Sequence, residues 1–137
     1  MLIRAFQTPD TDAVIALWEA CKLVRPWNDP RGDIQTKMTT QPELFLVGEV
    51  DGAIAASAMV GFDGHRGWIH YLAVSPTLQR QGLGKQLMAE VESLLVARGC
   101  NKLSLQVRSE NEKVLGFYRG LGYGEDQVIS MGKRLIL

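Results

Sequence analysis

The segment Gln79 to Lys85, which reads Gln-Arg-Gln-Gly-Leu-Gly-Lys, constrains the fold of this chain more than any other. It lies between an apolar run that ends at Val74 and a long amphipathic segment that predicts a helix. Two glycines one residue apart let the backbone approach a ligand closely. The unpaired N–H groups of a helix start bind phosphate or pyrophosphate. The segment therefore predicts an anion-binding loop, to which Arg80 and Lys85 add positive charge.

Two common nucleotide-binding motifs are excluded by the spacing in this loop. No third glycine follows Gly84 at the distance that the dinucleotide motif requires, and no Gly-Lys-Ser/Thr sequence marks a P-loop. A tight turn at a glycine-rich helix start, without any ligand, would produce the same local pattern. The loop alone therefore leaves both interpretations open.

Composition places the chain among compact intracellular proteins. Its 137 residues include 15 Lys plus Arg and 15 Asp plus Glu, so no overall charge attracts nucleic acid or an anionic membrane. Cys21 and Cys100 have no metal-ligand spacing and indicate reduced thiols, and we expect no metal. No apolar run approaches the ~20 residues of a membrane span, and the polar residues within the first ten positions lead us to expect no signal segment. We expect a single cytoplasmic domain over residues 1–137 with neither nucleic-acid nor membrane partners.

The order of the predicted elements is β-α-α-β-β-β-α-β-α-β. Strands are predicted at 2–6, 44–50, 53–62, 68–74 and 102–107, and helices from 9 to about 23, near Ile34 and Met38, at 84–98 and at 111–121. The residues after 122 predict a final hairpin of 123–127 with 128–137. The strand–loop–helix–strand unit around the glycine loop predicts a right-handed crossover between parallel strands.

Two signatures in this order resemble the GNAT acetyltransferase superfamily over essentially the whole chain. One is residues 72–85, and the other is Asn111-x5-Phe117-Tyr118-x3-Gly122-Tyr123. Residues 25–30 and 62–67 are most similar to small bacterial YpeA-like acetyltransferases, and the crossover region is also similar to ribosomal-protein N-terminal acetyltransferases. The resemblance implies a three-layer α/β (α+β) fold. Its mixed, mostly antiparallel sheet would have about seven strands, with the parallel fourth and fifth strands (β4, predicted at 68–74, and β5, at 102–107) splayed apart. Four helices would cover both faces.

The resemblance also implies acetyl-CoA as co-substrate. The pyrophosphate would lie on the glycine-loop amides, and the pantetheine arm would pair with exposed backbone of the strand before the loop. Asn111 would bind the cofactor, although a plain helix cap would look identical. The residues implied for cofactor binding are Leu72, Ala73, Val74, Arg80, Gln81, Gly82, Leu83, Gly84, Lys85 and Asn111.

For the chemistry, the resemblance assigns Tyr118 as the acid that protonates the departing CoA thiolate; a core aromatic is the alternative. The ribosomal N-terminal branch has a glutamate base where this chain has Gln106, which cannot take a proton. His70 is the candidate base, because its ordinary pKa near 6.5 suits that role, although a half-buried sheet residue would also explain it. Asp63 and His65 are alternatives.

Acceptor recognition is expected from Arg25, Trp27, Asn28 and Arg66, whose two guanidinium groups favour a carboxylate or phosphate on the acceptor. The expected activity is acetyl transfer from acetyl-CoA to a primary amine, of a small molecule or a protein, directly within a ternary complex. The alternative is a non-catalytic acyl-CoA-binding regulatory domain. A homodimer is also possible.

Overall fold

The structure, a computed structural model, describes residues 1–136 and divides the chain into two compact units, Met1–Leu105 and Gln106–Leu137. The expectation of a single domain stays a prediction.

The first unit is built on a five-stranded sheet in the order β1-β2-β3-β4-β5. The strands are β1 (Leu2–Ala5), β2 (Phe45–Val50), β3 (Ala53–Phe62), β4 (Gly67–Val74) and β5 (Leu103–Ser104). Strands β1 to β4 pair antiparallel, whereas β4 and β5 pair in parallel. The predicted parallel crossover is therefore confirmed.

Three helices belong to this unit: α1 (Thr11–Ala20), α2 (Pro30–Lys37) and α3 (Leu83–Ala97). The chain enters α1 through a 3-10 turn at Thr8–Asp10. Asp29 caps α2, because its Oδ1 accepts the Gly32 N–H at 3.0 Å and Pro30 occupies the first helical position. Within residues 1–136, no helix is long and apolar enough to cross a bilayer.

Helices α1 and α2 bury one face of the sheet around Trp18. The Trp18 ring stacks on Tyr71 with centroids 3.8 Å apart, and its Nε1–H donates to Ser57 Oγ at 2.8 Å. This bond satisfies the indole N–H, which burial would otherwise leave unpaired. The buried cluster comprises Phe6, Val14, Leu17, Trp18, Ile34, Phe45, Val47 and Ala73.

Helix α3 packs on β3 and β4 through buried Leu87, Met88, Val91 and Leu95. Gly67, at the start of β4, makes this contact close. A Cβ at this position would lie 2.8 Å from Leu95 Cδ1 and 3.1 Å from Cys100 Sγ. Glycine therefore lets the C-terminal end of α3 lie directly on the strand.

The second unit contains α4 (Glu112–Gly120). Asn111 caps it, with Oδ1 accepting the Val114 N–H at 3.3 Å. The Tyr118 ring makes edge contacts with Phe117 at 5.1 Å and Tyr123 at 5.6 Å between centroids. Residues 121–136 form neither helix nor strand.

The expectation of about seven strands is wrong for the described residues, which form five. The predicted strand 102–107 is reduced to Leu103–Ser104, and the hairpin of 123–127 with 128–137 is absent from the described part of that segment; residue 137 lies outside it. Val128, Ile129 and Met131 are 76%, 88% and 90% exposed. A strand is stabilised by cross-strand and same-face packing, and apolar side chains without such neighbours gain nothing from extension.

Candidate active site

Strands β4 and β5 separate soon after they meet. Their parallel ladder consists of Gly67 with Leu103 and Trp68 with Ser104. From Ile69 to Val74 no described strand pairs with β4 on that side. Because backbone hydrogen-bonding groups on a strand edge can pair with an extended ligand, this edge can hold a pantetheine-like chain.

The glycine loop follows β4 and bends through two left-handed residues, Arg80 at φ +65° and Gly82 at φ +80°. Gly82 is the N-cap of α3, and the Gln86 N–H donates to its carbonyl at 3.0 Å. The N–H groups of the first helical turn precede this bond and point out of the helix start. Gln79 Nε2 donates to Val74 O at 3.1 Å, which ties the loop to the end of β4.

The charges and space at the helix start fit a diphosphate. Arg80 and Lys85 are exposed, and neither pairs with a carboxylate of residues 1–136. A Cβ at Gly82 would meet no atom within 4 Å, so the space above it is open. The positive φ alone, rather than crowding, accounts for glycine here.

A β-bulge in β4 turns His70 and Tyr71 towards the same face of the sheet. Met59 pairs with His70 and Ser57 with Ala73, so β4 carries one extra residue, and Tyr71 has φ +53°. His70 is partly exposed to solvent, yet the desolvation of its ring lowers its pKa. Two charged side chains have smaller effects on this pKa: Asp33 raises it and Lys37 lowers it. The imidazole is therefore neutral at pH 7 and can accept a proton.

The turn between β3 and β4 holds the other two candidate bases. Asp63 Oδ1 accepts the N–H groups of His65 at 2.8 Å and Arg66 at 2.7 Å, and these bonds lower the pKa of Asp63. The Arg66 guanidinium donates to His65 O at 3.1 Å. This turn precedes Gly67, so Arg66 lies about 26 Å along the strand from Val74. The structure therefore does not bring these three side chains to the glycine loop.

The other predicted acceptor residues lie in the loop between α1 and α2. The Asn28 N–H donates to Arg25 O at 2.9 Å and closes a turn. Arg25 is exposed, Trp27 is 56% exposed and Asn28 is partly buried. The loop thus presents a guanidinium and an indole to solvent, where a ligand can reach them.

In the second unit, Tyr118 is 8% exposed, and desolvation raises its pKa to about 12. Its hydroxyl has no hydrogen-bond partner among residues 1–136. Every fully buried side-chain nitrogen or oxygen in those residues does have a partner, so the hydroxyl is not fully buried. The hydroxyl oxygen therefore reaches the surface of that unit. The Gln106 amide donates to Ser130 Oγ, and Asn111 Oδ1 is engaged in its helix cap.

Neither cysteine is a good nucleophile. Cys21 Sγ donates to Val74 O at 3.3 Å, and burial raises the pKa of this thiol. Cys100 is buried and donates to Lys102 O at 3.3 Å. In the described residues, no group of three or more His, Cys, Asp and Glu side chains could hold a metal ion.

Known proteins resemble this chain in sequence and in fold. The Acetyltransferase (GNAT) family model matches residues 11–123. An acetyltransferase of Yersinia enterocolitica is 50% identical over 137 residues, which cover all of this chain and 97% of the relative. Among solved structures, the ribosomal-protein-S18-alanine N-acetyltransferase of Escherichia coli is 25% identical with a TM-score of 0.76, covering 92% of this chain and 79% of that one. AAC(6')-Iy in complex with a CoA bisubstrate analogue is 19% identical with a TM-score of 0.80, covering 97% of each chain, and shows likeness of fold alone.

The chain therefore belongs to the GNAT acetyltransferase family, and it is an N-acetyltransferase. Relatives named as acetyltransferases do not favour the alternative of a non-catalytic acyl-CoA-binding domain. The finer resemblance to YpeA-like enzymes stays a prediction.

Proposed function

We propose that the protein transfers the acetyl group of acetyl-CoA directly to a primary amine within a ternary complex. The observation that carries this proposal is the combination of an open anion-binding helix start at Gly82 with the β5-side edge of β4, which pairs with no strand of the described residues beyond Trp68. A molecule with a diphosphate at one end and an amide-bearing arm at the other complements both features.

In this proposal the backbone amides of residues 80–85 hold the diphosphate, with Arg80 and Lys85 adding charge. The β4 backbone at Leu72, Ala73 and Val74 holds the pantetheine arm. Asn111 contributes its amide nitrogen, since only its Oδ1 is used in the helix cap.

Acetyl-CoA supplies an acetyl group activated as a thioester. A primary amine is mostly protonated at neutral pH and must lose a proton before it can attack. The neutral His70 takes this proton. The amine nitrogen then forms the new C–N bond while the C–S bond breaks and sulfur takes the electron pair. Tyr118, which its raised pKa keeps protonated, gives a proton to this sulfur. The acylated nitrogen still carries one excess proton, which it releases to solvent as the neutral amide forms. His70 also releases its proton to solvent and the Tyr118 phenolate takes one back, so the net reaction of an ammonium frees one proton.

Direct transfer is supported by the state of both thiols. An acetyl-cysteine route needs an accessible thiolate, whereas Cys100 is buried and the Cys21 thiol has a raised pKa. The amine nitrogen is then the only nucleophile that the reaction requires.

An amine acceptor in general is supported by the solved relatives. One is named for the alanine of ribosomal protein S18, and another was solved with an analogue that joins CoA to acetylneamine.

We propose Arg25, Trp27 and Asn28 as acceptor-recognition residues. Arg66 stays a weaker candidate because it lies at the other end of β4.

The test is a thiol-release assay with acetyl-CoA and a panel of primary amines, comparing wild type with Tyr118→Phe. We expect kcat to fall by about 100-fold or more while acetyl-CoA affinity is unchanged, because only the proton donor is lost. Tyr123→Phe, a neighbouring aromatic with the same chemical change, should retain activity. Acetyl-CoA binding without turnover of any amine by the wild type would contradict the proposal.

A further inference from the structure

A carboxylate outside the predicted site is fixed next to the β4 bulge. The Tyr71 O–H donates to Asp33 Oδ2 at 2.6 Å and thereby joins β4 to α2. Asp33 is exposed, and within residues 1–136 no Lys or Arg forms an ion pair with it. Its second oxygen is thus available to a positively charged group from solvent.

The backbone at this point is strained, and the strain is held by specific contacts. Tyr71 adopts φ +53°, a backbone conformation that is unfavourable for a bulky residue. The stack on Trp18 and the bond from Ser57 Oγ to Tyr71 O fix the residue in this conformation. One consequence of the bulge is that His70 and Tyr71 both face α2, rather than opposite faces as in a regular strand.

The charges around these side chains favour a cation. Asp33 and Asp29 both act on the Tyr71 hydroxyl, and Asp33 acts on the His70 imidazole. Lys37, one turn after Asp33 in α2, also acts on the His70 imidazole but forms no ion pair with Asp33. The hydroxyl oxygen of Tyr71 donates its proton to Asp33, so its lone pairs can accept a hydrogen bond from a ligand N–H.

We propose that Asp33 binds the ammonium group of the acceptor amine beside His70, and that Tyr71 is the residue that positions Asp33. This inference rests on the proposed function and specifies it: the acceptor enters as a cation from the α2 side of the sheet. The ammonium is bound by a charge-assisted hydrogen bond to Asp33, and His70, the residue before Tyr71 in the bulge, takes the proton. Neither Asp33 nor Tyr71 was assigned from the sequence, because strand alternation gives no sign of the bulge that brings them together.

The test is a binding experiment on the full chain saturated with CoA. Benzylamine is the cationic probe and benzyl alcohol its neutral counterpart, and both are titrated while the His70 ring and backbone amides 69–71 are followed by NMR. We expect saturable shifts with the amine and none with the alcohol. Asp33→Asn should weaken amine binding by about tenfold or more, since a hydrogen bond to a charged group is lost. Asp51→Asn, which removes the same charge from the β2–β3 turn, should have no effect.

Tyr71→Phe keeps the stack on Trp18 and removes only the hydroxyl. It should weaken amine binding by a smaller factor and raise KM for the acceptor amine more than it lowers kcat. Changed thermal stability with unchanged amine affinity in either variant would assign the contact a purely structural role and overturn the inference.

The two proposals fail in different ways. If the wild type does not bind acetyl-CoA, the proposed function is wrong. If it binds acetyl-CoA and acetylates amines, but Asp33→Asn has wild-type affinity for benzylamine and wild-type KM, only the role of Asp33 is refuted.

Discussion

At the scale of single residues, Gly82 and Gly52 provide a matched pair. Both have left-handed φ, +80° and +78°, and at neither residue would an added Cβ meet an atom within 4 Å. Valine at either position therefore introduces the same kind of backbone strain. Only Gly82 begins α3 at the proposed diphosphate site.

We predict that Gly82→Val abolishes measurable acetyl-CoA binding by calorimetry, because the loop can no longer present its amides. Gly52→Val should lose similar stability but keep wild-type affinity, and Arg80→Lys, which preserves the charge, should weaken binding only mildly. Unchanged affinity in Gly82→Val would refute the anion-binding loop.

His70 determines a second residue-scale prediction, the acid limb of the pH–rate profile. Its pKa lies below the ordinary 6.5, so it is neutral and active as a base at pH 7, and the rate should fall as pH drops through this lowered pKa. His65→Asn should keep this limb, whereas His70→Asn should lose most activity and the limb with it. If the acid limb of the pH–rate profile persists in His70→Asn, a residue other than His70 accepts the proton. Tyr118, with a pKa of about 12, should add no basic limb below pH 10.

At the scale of elements, the chain fixes the entry to α1 with one carboxylate. Asp10 accepts two bonds from the Arg4 guanidinium, at 2.8 and 2.9 Å, and a third from the Gln7 N–H at 2.8 Å. The bond from Arg4 is the main reason why the pKa of Asp10 is lowered. Strand β1 and the turn before α1 are thereby joined at one point.

Asp10→Asn should reduce the free energy of unfolding at pH 7 by about 1–2 kcal/mol, measured by urea denaturation. Because the folded-state pKa is depressed, this contribution is present above the ordinary value of 3.8 and is lost as pH falls through the lowered pKa. The two proteins should therefore converge in stability below that pH. Asp12→Asn, whose side chain is 89% exposed, should change little at any pH; an equal loss there would show that the effect is not specific to Asp10.

Elements with local causes could be predicted from the sequence. Asp51-Gly52 forms the expected hairpin turn with positive φ at both residues, and Asp29 with Pro30 begins α2 as the capping pattern indicates. The predictions of a terminal hairpin and of a β5 strand extending over 102–107 were wrong, because strands depend on partners elsewhere in the chain. The apolar alternation at Val128 and Ile129 has no such partner among the described residues.

The candidate site likewise has a part that could be predicted from the sequence and a part that could not. The glycine loop is a continuous motif and could be located from its spacing. The contact between Asp33 and Tyr71 joins residues far apart in sequence through an irregular strand, so no periodicity predicts it.

At the scale of the whole molecule, the expected single domain predicts one cooperative unfolding transition. Trp18, Trp27 and Trp68 all belong to the first unit, so tryptophan fluorescence reports on residues 1–105. Far-UV circular dichroism also includes α4 of the second unit. Urea curves from the two probes should coincide, and separate midpoints would show that the two units unfold independently.

The glycine that begins β4 has a mechanical consequence. Gly67 lies against Leu95 near the last turn of α3, whereas the other end of this helix, about 22 Å away, begins at Gly82. Any side chain at Gly67 would push the C-terminal end of α3 away from the sheet. Because a helix is stiff, its N-terminal end would then tilt. The absence of a side chain at residue 67 thus fixes the tilt of α3, and with it the orientation of backbone amides at the other end of the helix that residue 67 does not contact.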